Sequence, residues 1–165
     1  METTPEERSG FRLLFVCTGN TCRSPMAAAI ARHAVQQNGW ADFEVRSAGV
    51  GAFDGDAASG GAVRAAAHHG LDISDHEATL LRPELAEWAD LVLVMSPGHL
   101  MRIVQFGGGE TAALLTAFAH GGEGDAPAGV PDPIGGPDEE YLATFEFLEE
   151  LITRALERIE PGVVG

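Results

Sequence analysis

Short apolar runs alternate with amphipathic segments along this chain, and that alternation predicts strands and helices in turn. The segments Phe11–Val16 and Asp90–Met95 have the length and composition of buried strands, and Phe43–Ala48 alternates as a half-buried strand does. Thr111–Leu115 is predicted as a fourth, shorter strand. Near-continuous apolar strands separated by helices are typical of a parallel sheet. We therefore predict a three-layer α/β fold, in which helices cover both faces of a four-stranded parallel sheet.

Helices are predicted between these strands and at the end of the chain. Their predicted ranges are Pro25–Asn38, Asp56–His69, Pro83–Trp88, Pro97–Phe106 and Asp138–Ile159. Asp56 is predicted to cap the second of these helices. The last segment has the clearest pattern, because apolar residues recur on one side from Tyr141 to Ile159. Pro161-Gly162 is predicted to end that helix.

The predicted elements belong to a single domain over residues 11–160. Residues 1–10 are polar and lack the apolar core of a signal peptide, so a flexible N-terminal tail is predicted there. Residues 161–165 are predicted as a short C-terminal tail. Between the fourth strand and the last helix, residues 116–136 are rich in Gly and Pro and are predicted to form a long loop. The length of that loop favours a functional role.

The composition narrows the classes of partner. The formal net charge of −15 opposes binding to nucleic acids and anionic membranes, so neither is an expected partner. All ten basic residues are arginines, which excludes a phosphate-binding loop of the Gly-Lys-Ser/Thr type. The two cysteines are too few for a disulfide framework and suit a reducing compartment, so a cytoplasmic location is predicted.

The candidate chemistry lies between the first strand and the first helix. Ser24 followed by Pro25 has the character of a helix cap and a first helical residue, so Arg23 arrives at a helix N-terminus. The backbone N–H groups of the preceding loop can then surround a tetrahedral oxyanion, while the Arg23 guanidinium holds two of its oxygens. The same positive field favours the thiolate form of Cys17, to which the Ser24 hydroxyl could donate. The predicted phosphate-binding residues are Thr18, Gly19, Asn20, Thr21, Cys22, Arg23 and Ser24.

With these residues the chain resembles the low-molecular-weight protein tyrosine phosphatase family. The family signature, Cys-x5-Arg-Ser-Pro-Met after an apolar strand, stands here at Cys17–Met26. Further matching segments are Arg46–Gly49, Asp75–Ala78, Ala89–Met95 and Asp132-Pro133. The resemblance implies the flavodoxin-like fold of that family, a phosphorylated protein as substrate and no cofactor. It also implies that Cys17 attacks phosphorus to form a phosphocysteine, and that Asp132 is the general acid.

The resemblance implies supporting roles around the loop. In the family, the residue that matches Asn20 fixes the loop through hydrogen bonds to a serine and a histidine, here Ser47 and His76. The residue that matches Cys22 traps the oxidised nucleophile as a disulfide, and Cys22 is expected to do so with Cys17.

Two positions bear on the identity of the phosphorylated side chain, and both depart from the usual tyrosine-type pattern. Thr21 stands where tyrosine-type members carry a bulky aliphatic residue, and Ile134 stands where they carry an aromatic that flanks the substrate ring. Phe53 is the one large side chain of the glycine-punctuated loop predicted beside the site. Thr-x-Arg-Ser with Asp-Pro-x-Gly-Gly resembles the protein arginine phosphatase branch, so phosphoarginine is the expected substrate. Phosphotyrosine stays open as the alternative.

Other classes of function fit the sequence less well. Arsenate reductases of this fold that use a cysteine relay need further cysteines downstream, and none follows Cys22. A non-catalytic phosphopeptide-binding module would keep Arg23 without needing Cys17 or Asp132, and both are present. A dinucleotide site would need Gly-x-Gly-x-x-Gly after the first strand. The histidines lack the spacing of a ligand set, so no metal is expected. The sequence leaves the oligomeric state open.

Overall fold

A computed structural model describes residues 10–121 and 128–163, with side chains described through residue 159. The strands are β1 (Phe11–Cys17), β2 (Phe43–Gly49), β3 (Leu91–Val94) and β4 (Ala112–Leu114). They form one parallel sheet in the order β2-β1-β3-β4. Each strand lies within two residues of its predicted bounds, and the predicted parallel sheet is confirmed.

Six α-helices and a 3₁₀ helix at Gly109–Thr111 accompany the sheet within the described residues. The α-helices are α1 (Arg23–Asn38), α2 (Gly60–His68), α3 (Pro83–Trp88), α4 (Pro97–Gln105), α5 (Leu115–His120) and α6 (Asp138–Val163). Over the part of the chain that is described, no helix has both the length and the apolar character needed to cross a membrane.

The side chains of β1 alternate between two hydrophobic clusters, one on each face of the sheet. Leu13 and Phe15 pack with the cluster formed by α1, α2, α5 and α6, whereas Leu14 and Val16 pack with the cluster that includes Ile103 of α4. All four of these β1 side chains are fully buried. The sequence of a strand that is covered on both faces is a continuous run of apolar residues, as it is in β1. The three predicted layers are confirmed.

The end of β1 is the point where the strand order changes direction. The chain passes from β1 to β2 on one side, and β3 then lies on the other side of β1. In open α/β sheets, such a switch leaves a crevice beyond the carboxyl ends of the strands, where ligands bind. Cys17 is the last residue of β1 and therefore lies in this crevice.

The predicted start of the first helix was wrong by two residues. Helix α1 begins at Arg23, and Cys22 precedes it without a side-chain cap. Ser24 therefore lies inside the first turn, where its hydroxyl contacts the sulfur of Cys17 rather than a backbone N–H group.

The predicted cap of the second helix was also wrong. Ser59, not Asp56, precedes α2, and its hydroxyl accepts from the N–H of Ala62 at 3.4 Å. The residue after Asp56, Ala57, forms an antiparallel bridge with Glu77, which keeps this part of the chain extended.

The predicted loop over residues 116–136 contains a helical turn. Helix α5 occupies its start because Leu115 and Ala119 are both buried, and a spacing of four residues places them on one side of a helix. Residues 122–127 of that loop lie outside the described residues, as do residues 1–9 and 164–165 of the predicted tails. Helix α6 continues to Val163 instead of ending at Pro161-Gly162, so that prediction of the helix end was wrong.

Candidate active site

Cys17 lies at the centre of the crevice with little exposure to solvent. Its residue surface is 2% exposed, and its sulfur is 2.8 Å from the hydroxyl oxygen of Ser24. Ser24 is fully buried, so the contact is shielded from water. A hydroxyl in this place can donate to a thiolate, which stabilises the charged form of the sulfur.

Four carbonyl groups of the loop that begins at Cys17 accept hydrogen bonds from three other parts of the chain. The carbonyl oxygens of Cys17 and Thr18 accept from the N–H groups of residues 50 and 51 at 3.0 and 2.9 Å. The carbonyl of Asn20 accepts from the imidazole of His76 at 2.7 Å, and that of Thr21 accepts from the N–H of residue 59 at 2.9 Å.

This arrangement fixes the direction of the loop's N–H groups. Within a planar trans peptide the C=O of one residue and the N–H of the next point in opposite directions. Because those four carbonyls point outward, the N–H groups that follow them point toward the interior of the loop. These are the N–H groups of Thr18, Gly19, Thr21 and Cys22. Together with the start of α1 they form a cradle suited to a tetrahedral oxyanion.

Asn20 holds the loop in its tight conformation. Its φ of 55° lies in the left-handed region, which asparagine tolerates better than most residues. The side chain is fully buried and its amide donates to the hydroxyls of Ser24 and Ser47, at 2.7 and 3.0 Å. Its amide oxygen accepts from the N–H of Thr79 at 2.8 Å. The contacts that the sequence predicted between Asn20, Ser47 and His76 are therefore all present.

His76 supports the loop in its neutral form. The Asn20 carbonyl can only accept, so the Nε2 of His76 must carry the proton of that hydrogen bond. Burial lowers the pKa of His76 below its ordinary value, and this effect outweighs the hydrogen bond that raises it. The neutral imidazole is therefore the form that holds the loop at neutral pH.

Arg23 is buried beside the cradle and has one unused donor. It is 5% exposed, and its Nη1 donates to the carbonyl of Val130 at 3.0 Å. Its Nη2 lies 3.4 Å from both the Thr18 hydroxyl and a carboxylate oxygen of Asp132. Its Nε is buried without a hydrogen-bond partner among the described residues. A buried donor without a partner costs free energy, and a phosphate oxygen would supply the missing acceptor.

Asp132 enters the site from the loop before α6. The N–H of Val130 donates to the carbonyl of Met95 at 2.8 Å, which attaches this loop to the end of β3. The other carboxylate oxygen of Asp132 accepts from the N–H of Ile134 at 3.1 Å. The side chain keeps 39% of its exposure, so it can meet a substrate from solvent.

The predicted rim of the crevice consists of the specificity residues Thr21, Phe53 and Ile134, none of which is buried. Phe53 is 76% exposed and Ile134 is 64% exposed, which is unusual for large apolar side chains. The Phe53 loop is fixed by its neighbour Asp54, whose carboxylate accepts from the N–H of Leu80 at 2.7 Å and from Arg82 at 2.6 Å.

Cys22 is a buried free thiol at the residue that precedes α1. Both cysteines are free, and the sulfur of Cys22 lies 3.2 Å from the Ser59 hydroxyl and 3.9 Å from the Tyr141 hydroxyl.

Several residues of the site were not identified from the sequence. Val130 binds Arg23 through its backbone, so its side-chain type carries no signal. Tyr141 was predicted only as part of the apolar stripe of the last helix, yet its hydroxyl reaches Cys22. His99 was not singled out, although its imidazole lies 2.9 Å from the Thr18 hydroxyl. A histidine three residues after a Ser-Pro helix start was the available signal for it.

The described residues include no group of three or more His, Cys, Asp or Glu arranged to hold a metal ion. The fold and the loop are those of an α/β protein with a cradle suited to a tetrahedral oxyanion around a buried cysteine. The profile of the family described as low molecular weight phosphotyrosine protein phosphatase matches residues 12–163. The chain belongs to the low-molecular-weight phosphotyrosine protein phosphatase family.

Some relatives of the chain are named as arginine phosphatases and others as tyrosine phosphatases. The protein-arginine-phosphatase of Geobacillus stearothermophilus is 40% identical over 152 residues, which cover 91% of this chain and 97% of that protein. A solved mutant of YwlE arginine phosphatase with a phosphorylated active-site serine is 37% identical, with a TM-score of 0.83 over 91% of this chain and 96% of that one. A low molecular weight protein tyrosine phosphatase from T. tengcongensis is 41% identical, with a TM-score of 0.82 over 90% of this chain and 99% of that one.

Proposed function

We propose that this protein is a cysteine-dependent protein phosphatase that hydrolyses phosphoarginine through a phosphocysteine intermediate. The observation that carries the proposal is the buried Nε of Arg23, which has no hydrogen-bond acceptor among the described residues. It adjoins a loop whose N–H groups point inward around Cys17. A phosphoryl group satisfies these donors together. The phosphorylated active-site serine of the YwlE mutant supports a covalent intermediate at the corresponding place.

The first half-reaction transfers the phosphoryl group to the enzyme. The thiolate of Cys17 attacks phosphorus in line, so an S–P bond forms as the bond to the leaving group breaks. The loop N–H groups and Arg23 stabilise the charge that develops on the equatorial oxygens. Asp132, on the open side of the crevice, gives its proton to the departing atom.

The second half-reaction returns the enzyme to its starting state. Water attacks phosphorus, its proton passes to the carboxylate of Asp132, and the S–P bond breaks. The products are inorganic phosphate and the thiolate of Cys17, with no other reactant consumed. Ser24, at 2.8 Å from the sulfur, stabilises that thiolate as a leaving group.

The rim favours a guanidinium over a phenol. Thr21 offers a hydroxyl in place of an aliphatic contact, and Ile134-Gly135-Gly136 follows Asp132-Pro133 without an aromatic ring. Loss of one aromatic contact weakens ring recognition by about 0.5–1.5 kcal/mol. A carboxylic acid at this position can accept from the planar guanidinium through its carbonyl oxygen and also give its proton to the nitrogen that leaves. The relatives named as arginine phosphatases support this choice.

Phosphotyrosine hydrolysis is the second candidate, and Phe53 favours it. This ring is 76% exposed on the loop beside the phosphate cradle and is available to stack on a phenol. The tyrosine phosphatase from T. tengcongensis has a level of identity similar to that of the arginine phosphatases.

The proposal includes a redox role for Cys22 and a cytoplasmic location. Cys22 lies in the same loop as Cys17 and is a free thiol, which supports disulfide formation after oxidation of Cys17. Thiol counting after mild peroxide treatment tests for the disulfide. Under the same treatment Cys22→Ser should lose activity irreversibly, because it cannot form that bond. The location rests on the cysteine usage alone.

Phosphate release from matched phosphoarginine and phosphotyrosine peptides tests the proposed function, with Cys17→Ser as the blank. A preference for phosphoarginine of about 2- to 13-fold corresponds to the roughly 0.5–1.5 kcal/mol expected at the rim. Asp132→Asn should lower turnover by about 10²- to 10⁴-fold because the general acid is lost. A phosphotyrosine preference would keep the mechanism and reject the substrate. Absence of Cys17-dependent release from both peptides would reject the proposed function.

A further inference from the structure

His99 is a buried imidazole that the proposed reaction does not use. It belongs to α4, the helix that follows β3, and it is 4% exposed. Its Nε2 lies 2.9 Å from the Thr18 hydroxyl, and its Nδ1 lies 3.1 Å from the Ser96 hydroxyl. Both ring nitrogens therefore have polar partners, one of which belongs to the phosphate loop.

The contact continues from Thr18 to the reacting groups. The Thr18 hydroxyl lies 3.4 Å from Nη2 of Arg23, and the same Nη2 lies 3.4 Å from the Asp132 carboxylate. His99, Thr18, Arg23 and Asp132 thus form one unbroken line of hydrogen-bonding groups from α4 to the general acid. Only the last three were included in the predicted site.

We propose that His99 is a positioning residue, which fixes the Thr18 hydroxyl so that Thr18 orients Arg23 toward the phosphoryl group. This inference rests on the proposed function, since it assigns a role within that reaction. His99 acts through Thr18 and does not itself touch the reacting atoms.

The donors and acceptors define how the imidazole works. An arginine can only donate, so the Thr18 oxygen accepts from Arg23 and its proton is free to be donated elsewhere. The Thr18 hydroxyl donates to Nε2 of His99, so Nδ1 carries the proton of the neutral ring and donates to the Ser96 hydroxyl. This tautomer gives a partner to the Thr18 hydroxyl and to both ring nitrogens of His99. The opposite tautomer would give the Thr18 oxygen two donors and leave its own proton without an acceptor.

A charged imidazole would break this arrangement. Protonation of Nε2 would turn the acceptor for Thr18 into a donor and place a second cation near Arg23. Burial and the charge of Arg23 lower the pKa of His99 to about 4, although the Asp132 carboxylate opposes this change. The imidazole is therefore neutral over the pH range in which such enzymes work, and Thr18 keeps its acceptor.

A double-mutant cycle between His99 and Thr18 tests the inference. His99→Leu should lower kcat/KM by about 10- to 100-fold, mainly through kcat, because Arg23 loses its orientation. Thr18→Val, which keeps the side-chain shape on an exposed residue, should cause a similar loss. The double variant should lose no more than the greater single loss, because both changes break the same line. His99→Gln can reach Thr18 with an amide oxygen and should recover most of the activity.

His33→Gln is the matched control, since His33 is an exposed histidine of α1, and its activity should equal that of the wild type. All variants are compared at temperatures below their measured unfolding transitions. Losses that multiply in the double variant, or a His99→Leu variant as active as the wild type, would overturn the inference. So would a His99→Gln variant as impaired as His99→Leu.

Binding of inorganic phosphate separates failure of this inference from failure of the proposed function. Titration calorimetry with phosphate needs no turnover. If the wild type shows no Cys17-dependent hydrolysis, the proposed function fails, but the same cycle can be measured on phosphate affinity. Weaker binding in both single variants, without further loss in the double variant, would support the line from His99 to Arg23. Equal binding in all four proteins would overturn it.

Discussion

Gly49, the last residue of β2, is the position where one added methyl group should do most damage to the site. A Cβ there would lie 2.5 Å from the Thr18 carbonyl oxygen, 2.8 Å from the Asn20 nitrogen and 3.0 Å from the Gly19 carbonyl carbon. Ordinary contact begins at 3.4 Å, so the loop would have to move back by about 0.9 Å. All three atoms belong to the backbone of the phosphate cradle, and no flexible side chain can absorb the change.

We expect Gly49→Ala to lower both stability and catalysis. Overpacking of this kind costs about 1–3 kcal/mol. For a chain of this length, that corresponds to a fall in Tm of roughly 2–12 °C. A shift of nearly 1 Å in the groups that bind the transition state costs about 10²-fold in rate. Thermal unfolding and kcat/KM for a phosphorylated peptide measure the two effects on the same protein sample.

Gly51→Ala is the matched control, because a Cβ at Gly51 would have the Thr18 oxygen as its nearest neighbour at an ordinary 3.9 Å. That variant should keep the wild-type Tm to within about 2 °C and its kcat/KM to within about threefold. The reasoning is refuted if Gly49→Ala and Gly51→Ala have the same Tm and the same kcat/KM. It is also refuted if Gly49→Ala loses stability while its activity below the transition is unchanged, because the cradle would then tolerate the shift.

Three further predictions concern stability, pH and substrate choice. Gly61→Ala should lower Tm, because its Cβ would lie 2.4 Å from the buried ring of Tyr141. Gly60→Ala is its control and should keep or raise Tm, because its Cβ would meet only the flexible end of a side chain. Equal Tm values for the two variants would contradict this. The pKa of His99 is lowered to about 4 in the folded protein, so the unfolded chain binds more protons than the folded one between pH 4 and 6.5. The free energy of unfolding should therefore rise with pH across that window, by about 3 kcal/mol at most. Urea unfolding of His99→Gln should therefore depend less on pH than that of the wild type, and parallel curves would refute this. Thr21→Val should shift the ratio of phosphoarginine to phosphotyrosine hydrolysis toward phosphotyrosine, and an unchanged ratio would show that the Thr21 hydroxyl does not select the substrate.

The fold could be predicted because its strands carry strong local signals. Leu13 to Val16 are buried on both faces of β1, so they form an unbroken apolar run whatever the rest of the chain does. Helix starts were less predictable, because several polar residues near each start can act as caps. Ser59 precedes α2 instead of Asp56 because Ala57 pairs with Glu77, a contact 20 residues away in sequence that no local pattern records.

The candidate site likewise contains residues that local spacing predicts and residues that it does not. Cys17, Arg23 and Ser24 lie within eight residues, so their spacing alone indicated their chemistry. Asp132 and His76 could be placed only through a resemblance, since the contacts that bring them to the loop depend on the tertiary fold. Val130 could not be predicted at all, because it binds Arg23 through a backbone carbonyl that every residue possesses.

The phosphate loop is held open by contacts with the protein rather than by its ligand. Its outward carbonyls are bound by residues 50, 51 and 59 of the β2–α2 connection and by His76 of the α2–α3 connection. The loop N–H groups are therefore directed inward before any phosphate arrives, and no reorganisation is needed as charge develops in the reaction. The fully buried amide of Asn20 helps to hold this arrangement. The Nε of Arg23 has no partner among the described residues, and a cradle filled by its own side chains would not leave such a donor free. A substitution that frees any one of these carbonyls should thus reduce kcat more than it increases KM, because it removes preorganisation that matters most in the transition state.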